Sequence, residues 1–385
     1  MSEPRPGALD DYAVYLLLQG GGARAAYQVG VYDALRELGK EPDWVIGISM
    51  GSLNAAVIAG NPPAVRQEKL RGFWDSIATP FDWTNLMKGP LGTYWKYVAA
   101  YTESAVGMFG HRNFYRMRAV PYYMAPPGTD AAVSYYTDAP LARNMKRWVD
   151  FGYLNDGDRD HPTALSLGVT DVCTGKLEFF HSDKETFGID HIRACAALPP
   201  GSAAVQVGDG WYWDGGVGAN EPLAALLGTP QDPRPKLLVV VDLWSAEGAR
   251  PMTMNNVTWR EYQITYQSKV SALLNSIEKE FNRASGRMGG DPDVNTAAAG
   301  PAVVMHLVYR EAVDVEPFDA VDFSRNSIAE RIATGHTDLM NAVEAVIAER
   351  REQVKTGLSM FTFDGTDRRL TDRLQPTPPP IPGSG

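Results

Sequence analysis

Apolar positions in the first sixty residues fall into four segments of alternating period. Residues 12–18 form a continuous apolar and aromatic run, the length of a buried strand. Beyond Gly20, Gly21 and Gly22, the residues Ala25, Tyr27, Val31, Ala34, Leu35 and Leu38 recur at steps of three and four. That is the single stripe of an amphipathic helix, which Gly39 can cap. Residues 44–48 are a second short apolar run, and residues 52–59 a helix of small side chains stopped by Gly60-Asn61-Pro62-Pro63. Strand, helix, strand, helix predicts right-handed crossovers onto a parallel sheet covered on both faces.

Residues 73–153 break the pattern. They hold 18 of the chain's 39 Phe, Trp and Tyr, among them Trp74, Trp83, Trp95, Tyr122, Tyr123, Tyr135 and Tyr136, and show no strand period. This predicts an aromatic-packed helical insertion, part of which can serve as a lid or acyl-chain pocket, since small-ligand pockets are mostly apolar and aromatic-lined. Strands are expected again at 165–170 and 177–180, and a helix at 192–198 ending on Pro199-Pro200. Residues 211–213 read as a short strand running into Asp214-Gly215-Gly216, and 236–243 as a strongly apolar strand. Tyr262, Tyr266, Val270, Leu273, Ile277 and Phe281 mark a long amphipathic helix, 302–309 a further strand and 328–348 a further helix. The tail from Gln375, rich in Pro, Gly, Ser and Thr, is expected to be disordered.

Composition narrows the function classes. A chain of 385 residues suggests two domains or one large one with insertions, and 44% hydrophobic against 21% charged residues is an ordinary globular mix. With 36 Lys+Arg against 46 Asp+Glu, the formal charge of −10 offers no basic excess for nucleic acid and no polybasic membrane anchor. Two cysteines, Cys173 and Cys195, cannot build a disulfide framework, and no Cys/His cluster has zinc-ligand spacing. The first apolar run is too short to span a bilayer and lacks a basic region before it, so a soluble, cytoplasmic protein is expected.

The candidate chemistry lies in three places. Gly47-Ile48-Ser49-Met50-Gly51 fits G-x-S-x-G, in which a serine stands on a strained turn between strand and helix. Read blandly, Ser49 or Ser52 merely caps the helix. A nucleophilic serine needs a base and an oxyanion site. Of the six histidines, His111, His161, His181, His191, His306 and His336, only His306 sits on a late strand, where it can simply face solvent. Gly20-Gly21-Gly22-Ala23-Arg24 joins the first strand to the first helix, leaving N–H groups uncovered beside a helix N-terminus. Arg24 opposes the helix dipole there, which suits a role in steadying the loop or meeting an anion. Asp214, at the end of a strand and before two glycines, can bring a carboxylate to the edge that carries Ser49.

These three motifs, in this order, resemble those of the patatin-like phospholipases. Ala194 to Pro200 and Asn220-Glu221-Pro222 extend the likeness, which runs from about residue 14 to 241. Val321-Asp322-Phe323-Ser324 and Phe363-Asp364-Gly365 resemble the extra C-terminal region of a bacterial subgroup. The resemblance implies a three-layer α/β/α sandwich with a mostly parallel central sheet. It divides the chain into a catalytic domain at 12–245 with the insertion at about 73–160, a C-terminal region at 246–374 packed on or extending it, and a tail at 375–385. It implies hydrolysis of lipid carboxylic esters by a Ser-Asp dyad, without metal or cofactor, with Ser49 as nucleophile and Asp214 as base. Gly21, Gly22 and Met50 would form the oxyanion hole, supported by Gly20, Arg24, Gly47, Gly51, Gly215 and Gly216. One departure is Ala25, where the family often carries glycine. The implied partner is a lipid or other ester, with peripheral membrane contact allowed and the oligomeric state open.

Other readings stand beside it. A Ser-His-Asp esterase would use a histidine such as His306. Gly20 to Ala25 also satisfies the dinucleotide fingerprint G-x-G-x-x-A, but Asp43, the acid at the right distance, precedes the second strand instead of ending it. A non-catalytic binding protein on the same fold is the third.

Overall fold

The computed structural model describes residues 7–363, apart from 8, 80–109, 112, 160–161, 227–233, 246–247, 249, 253, 267–301, 311–318 and 351–357. The first strands form as their patterns predict: β1 at Ala13–Leu18 and β2 at Trp44–Ile48, with α1 at Ala26–Glu37 and α2 at Met50–Ala59. A third helix, α3, follows at Pro63–Ile77. β1 and β2 pair in parallel, with Leu18 opposite Gly47, so the loops after both open at one edge.

Residues 80–109 of the insertion lie outside the described residues. The described part contains a small antiparallel sheet of β3 (Gly110–His111), β4 (Tyr115–Met117) and β5 (Tyr136–Thr137), followed by α4 at Ala139–Trp148. Between β4 and β5, Pro121, Pro126, Pro127 and Gly128 favour turns over a long helix. Trp83 and Trp95 lie outside the described residues.

The main sheet continues with β6 (Ala164–Asp171), β7 (Leu177–His181), β8 (Val205–Val207), β9 (Gly210–Asp214), β10 (Lys236–Asp242), β11 (Ala302–Val308) and β12 (Leu358–Phe363). Its order is β12-β11-β10-β1-β2-β6-β9-β8, with β7 also on β6. From β12 to β6 every pairing is parallel, whereas β7 and β9 run antiparallel to β6. The molecule is thus a mixed α/β fold with a mostly parallel central sheet. β11 and β12, from the C-terminal third, extend the same sheet.

Strand alternation sorts the core. Val14, Leu16 and Leu18 face a cluster with Tyr27, Val31 and Leu35 of α1 and Leu53 of α2. Ala13, Tyr15 and Leu17 face a second cluster closed by Leu223 and Ala225. The helix α5 covers Ile189–Cys195, earlier than the expected 192–198, and beyond it the Ala197 carbonyl accepts from the Asp214 N–H at 3.0 Å. The amphipathic helix expected from Tyr262 is described as α6 at Met254–Tyr266, and its remaining positions lie outside the described residues. The last helix, α7 at Arg325–Arg350, packs on α1, where the Tyr27 hydroxyl donates to Asp338 Oδ2 at 2.8 Å. The tail at 375–385 also lies outside the described residues.

Candidate active site

Ser49 ends β2 with φ 54° and ψ −126°, a left-handed conformation that costs a side-chain-bearing residue of order 1–3 kcal/mol. The turn that imposes it is packed backbone on backbone. A Cβ on Gly51 would stand 2.2 Å from the Leu18 carbonyl oxygen, and one on Gly47 would stand 2.4 Å from the Gly51 carbonyl. Neither position can carry a side chain.

The acid reaches the same row of the sheet from the other direction. Ile48 is opposite Gly168 on β6, and the next β6 residue, Val169, is opposite Asp214 on the antiparallel β9. Ser49 and Asp214 thereby stand one strand apart at one level. Ser49 lies close enough to the Asp214 carboxylate to lower its pKa, and the Gly216 N–H donates to Asp214 Oδ1 at 2.8 Å. Gly215 is buried against the Gly168 carbonyl. Asp214 is 2% exposed, and its pKa is pushed up from the ordinary 3.8 to about 6. Burial is the largest cause, and the nearby Ser49 side chain and the Gly216 N–H work against it by favouring the charged form.

The glycine loop is held by a chain of buried amides whose roles the sequence did not announce. Asn220 brackets Gly20: its Oδ1 accepts from the Gly20 N–H at 2.8 Å and its Nδ2 donates to the Gly20 carbonyl at 3.0 Å. The Trp244 indole donates to the same carbonyl at 2.7 Å. Gln19 Nε2 donates to the Asn220 carbonyl at 3.0 Å, and Gln28 Nε2 to the Gln19 carbonyl at 2.7 Å. Asn54 Nδ2 donates to Gln28 Oε1 at 2.8 Å and to the Ala25 carbonyl at 3.0 Å, while Asn54 Oδ1 accepts from the Trp74 indole at 2.9 Å. The signal available in the sequence was a Gln and an Asn on helix faces otherwise lined by apolar residues. Ala25, where the family often has glycine, is fully buried in this arrangement.

Gly20 spends its N–H on Asn220, which leaves it a supporting residue. The N–H groups of Gly21, Gly22 and Met50 have no acceptor among the described residues. Gly22 has φ 57°, and a Cβ there would lie 2.3 Å from the Ala320 carbonyl oxygen, so the C-terminal region presses on the loop directly. Arg24 is 2% exposed and is held on several sides. Its Nε donates to the Leu243 carbonyl at 2.8 Å and its Nη1 to Asp319 Oδ2 at 3.3 Å. Its guanidinium lies 4.9 Å from the Trp244 ring centre and 5.1 Å from that of Tyr309. Arg331 binds the other oxygen of Asp319, so this carboxylate bridges two buried cations. Asp319 is a further residue that local sequence pattern could not connect to the loop.

The histidines are engaged elsewhere. His306 does not face solvent: it is 3% exposed and its Nε2 lies 3.3 Å from Asp242 Oδ2. His336 pairs with Glu37, His191 with Glu185, and His181 Nδ1 lies 2.8 Å from the Ser166 hydroxyl. His161 lies outside the described residues. Cys195 is buried and Cys173 exposed, both as free thiols. Among the described residues no His/Cys/Asp/Glu group has the form of a metal site, and no helix is long and apolar enough to cross a membrane.

No curated protein matches the chain. Among solved structures it is similar to VipD from Legionella pneumophila, at 14% identity over 86% of this chain and 67% of that one, with a TM-score of 0.35. It is also similar to the structure of full-length SpcU in complex with full-length ExoU from the type III secretion system of Pseudomonas aeruginosa, at 14% identity over 92% and 73% of the two chains, with a TM-score of 0.27. A family described as patatin phospholipase matches residues 253–355. The family described as patatin-like phospholipase matches residues 16–227, more than half of the chain, which therefore belongs to the patatin-like phospholipases and is a lipid hydrolase.

Proposed function

We infer that the chain hydrolyses lipid carboxylic esters through an acyl-enzyme on Ser49, with Asp214 as its base. The observation that carries this is the strained Ser49 placed at the same level of the sheet as Asp214, a buried carboxylate whose pKa is raised to about 6. A carboxylate at 3.8 is a poor base near neutrality, and burial supplies the correction. The Ser49 oxygen attacks the ester carbonyl carbon as its proton passes to Asp214. The oxyanion is held by the N–H groups of Gly21, Gly22 and Met50, each donor worth about 3–4 kcal/mol in such sites. Collapse breaks the bond to the alcohol, which leaves with the proton from Asp214. Water then attacks the acyl carbon, gives its proton to Asp214, and the free acid departs as Ser49 recovers the proton.

No dinucleotide reading is needed for the glycines: Gly20 is bonded on both sides by Asn220 and Gly22 is covered by Ala320. Turnover of a p-nitrophenyl ester by the full chain tests the mechanism. Ser49→Ala should abolish it, Asp214→Asn should lower kcat by about 10²–10⁴, and His306→Gln should leave it within about twofold. kcat/KM should fall as pH drops through about 6, where Asp214 takes up its proton. Loss with His306→Gln and retention with Asp214→Asn would replace the dyad with a Ser-His system.

A further inference from the structure

Exposed apolar surface is distributed unevenly over this molecule. Every large hydrophobic side chain that stands exposed among the described residues lies in one of four places: 117–135, 198–217, 252–264, and Val321. All four adjoin the edge of the sheet at which Ser49 sits. Residues 117–135 are tied to it by a short path. Tyr135 and Tyr136 donate their N–H groups to the Pro200 and Gly201 carbonyls at 3.1 and 2.9 Å, and three residues earlier Ala197 accepts from the Asp214 N–H at 3.0 Å. On the other flank, the Tyr266 carbonyl accepts from Asn220 at 3.3 Å, and Tyr266 packs on Trp244. Val321 follows Ala320, which covers Gly22.

The two flanks are far from marginally exposed. Tyr123 and Met124 are 74% and 69% exposed, Met252 and Met254 83% and 77%. Tyr122 joins Tyr123 and Tyr135 edge to face at 5.4 and 5.7 Å, so the tyrosines form one cluster in solvent. A contiguous exposed patch of this kind marks an interaction site. Its chemistry says with what. Tyrosine and methionine offer apolar bodies, and tyrosine a polar tip, the combination that settles at a membrane–water interface. Charge is nearly absent: residues 117–135 carry only Arg118 and Asp130, which face each other at 3.9 Å, and residues 252–264 only Arg260 and Glu261. Neither flank has a lysine. Among the described residues the exposed arginines beside these lips, Arg116 and Arg250, stand singly on a chain of net charge −10, so an anionic leaflet offers little gain.

We propose that residues 117–135 and 252–264 form the two lips of a docking surface that seats the catalytic edge on an uncharged or zwitterionic lipid surface. The lips deliver the ester to Ser49 from the interface, and residues 117–135 act as an anchor. This rests on the lipid-hydrolase reading of the site.

The experiment is co-flotation of the full chain with phosphatidylcholine vesicles, alongside turnover of a vesicle-borne ester and of a monomeric p-nitrophenyl ester. Wild type should float with phosphatidylcholine vesicles equally at ~0.05 and ~0.5 M salt, since apolar insertion is not screened. Tyr123→Ser/Met124→Ser and Met252→Ser/Met254→Ser should each weaken flotation by about tenfold or more and lower vesicle turnover in parallel, while monomeric ester turnover stays within about twofold. Ser49→Ala should float like wild type without turnover. If it keeps turnover, the catalytic reading fails while flotation still judges the surface. Unchanged flotation in both double variants, binding confined to phosphatidylglycerol vesicles and removed by salt, or a wild-type dimer that the variants dissolve would each overturn the proposal.

Discussion

The glycine loop with its elbow, residues 18–54, and the aromatic insertion, residues 110–137, meet at one edge of the sheet and are built in opposite ways. In the first, polar groups go inside: Gln19, Gln28 and Asn54 are buried, and each amide is spent on holding a backbone group in place. In the second, apolar groups go outside, with Tyr122, Tyr123, Met124 and Val133 all exposed. The comparison teaches where precision is needed. A left-handed serine and uncovered N–H groups must be held to fractions of an ångström, which takes directional bonds in a low dielectric. A surface that meets a fluid partner needs no such directionality.

Breaking the first region should cost most at Arg24. Arg24→Ala removes the bond to Leu243, one of the two cations on Asp319, and the cation set against Trp244 and Tyr309. Asp319 keeps Arg331, which limits the loss. The expected cost is about 3 kcal/mol in urea unfolding, with labelling of Ser49 by a fluorophosphonate slowed by about tenfold or more because the loop loses its anchor. Slowed labelling with unchanged stability would show that Arg24 acts on the oxyanion loop alone.

Asn54→Ala comes next. It strands the Trp74 indole, the Ala25 carbonyl and the Gln28 amide oxygen in a buried setting, at about 2–3 kcal/mol. A cost under about 0.5 kcal/mol would mean that the amide chain is replaceable and that backbone packing alone fixes the elbow.

These two residues also mark the limit of what the sequence disclosed. Period and turn chemistry placed β1, α1, β2 and α2 within a residue or two, because an alternating pattern of burial is written locally. Ser49, Asp214 and the glycines could be picked out because strained turns leave few residue choices. Asn54, Gln28 and Asp319 left no such mark. Asn54 reaches partners 20 to 29 residues away and Asp319 joins Arg24 across 295, and no local spacing encodes bonds of that range. The display of Tyr122 and Tyr123 was hidden for a related reason: aromatic richness is the same string whether the rings are packed inward or displayed.

A smaller effect, opposite in sign, is expected at the acid. Because the folded-state pKa of Asp214 is raised above 3.8, the native state holds the proton more tightly than the unfolded chain does. Ionisation therefore subtracts stability: the loss is absent below about pH 4, grows between about 4 and 6, and is complete above 6, with an upper bound of about 3 kcal/mol. Asp214→Asn cannot ionise and keeps the shape. It should be more stable than wild type by about 1–2 kcal/mol at pH 8, with the advantage shrinking towards pH 4 while activity is lost throughout. An Asn variant less stable at pH 8 would mean that the nearby Ser49 side chain and the Gly216 N–H outweigh the burial of the charge.

The smallest effect belongs to the insertion, and it is the sharpest test of the contrast. Tyr123 stands largely in solvent and touches Tyr122 edge to face at 5.4 Å. Tyr123→Ser gives up one exposed ring contact and buries no polar group, so unfolding free energy should move by less than about 0.5 kcal/mol, the range of ordinary surface changes. Even a gain is reasonable on physical grounds, because an apolar ring that stays wet in the folded state contributes nothing through burial. A loss near 2 kcal/mol would mean that the ring is buried in the working protein, and the insertion would then belong with the glycine loop as part of the core. A change near zero would leave the tyrosine cluster without a structural reason to be aromatic.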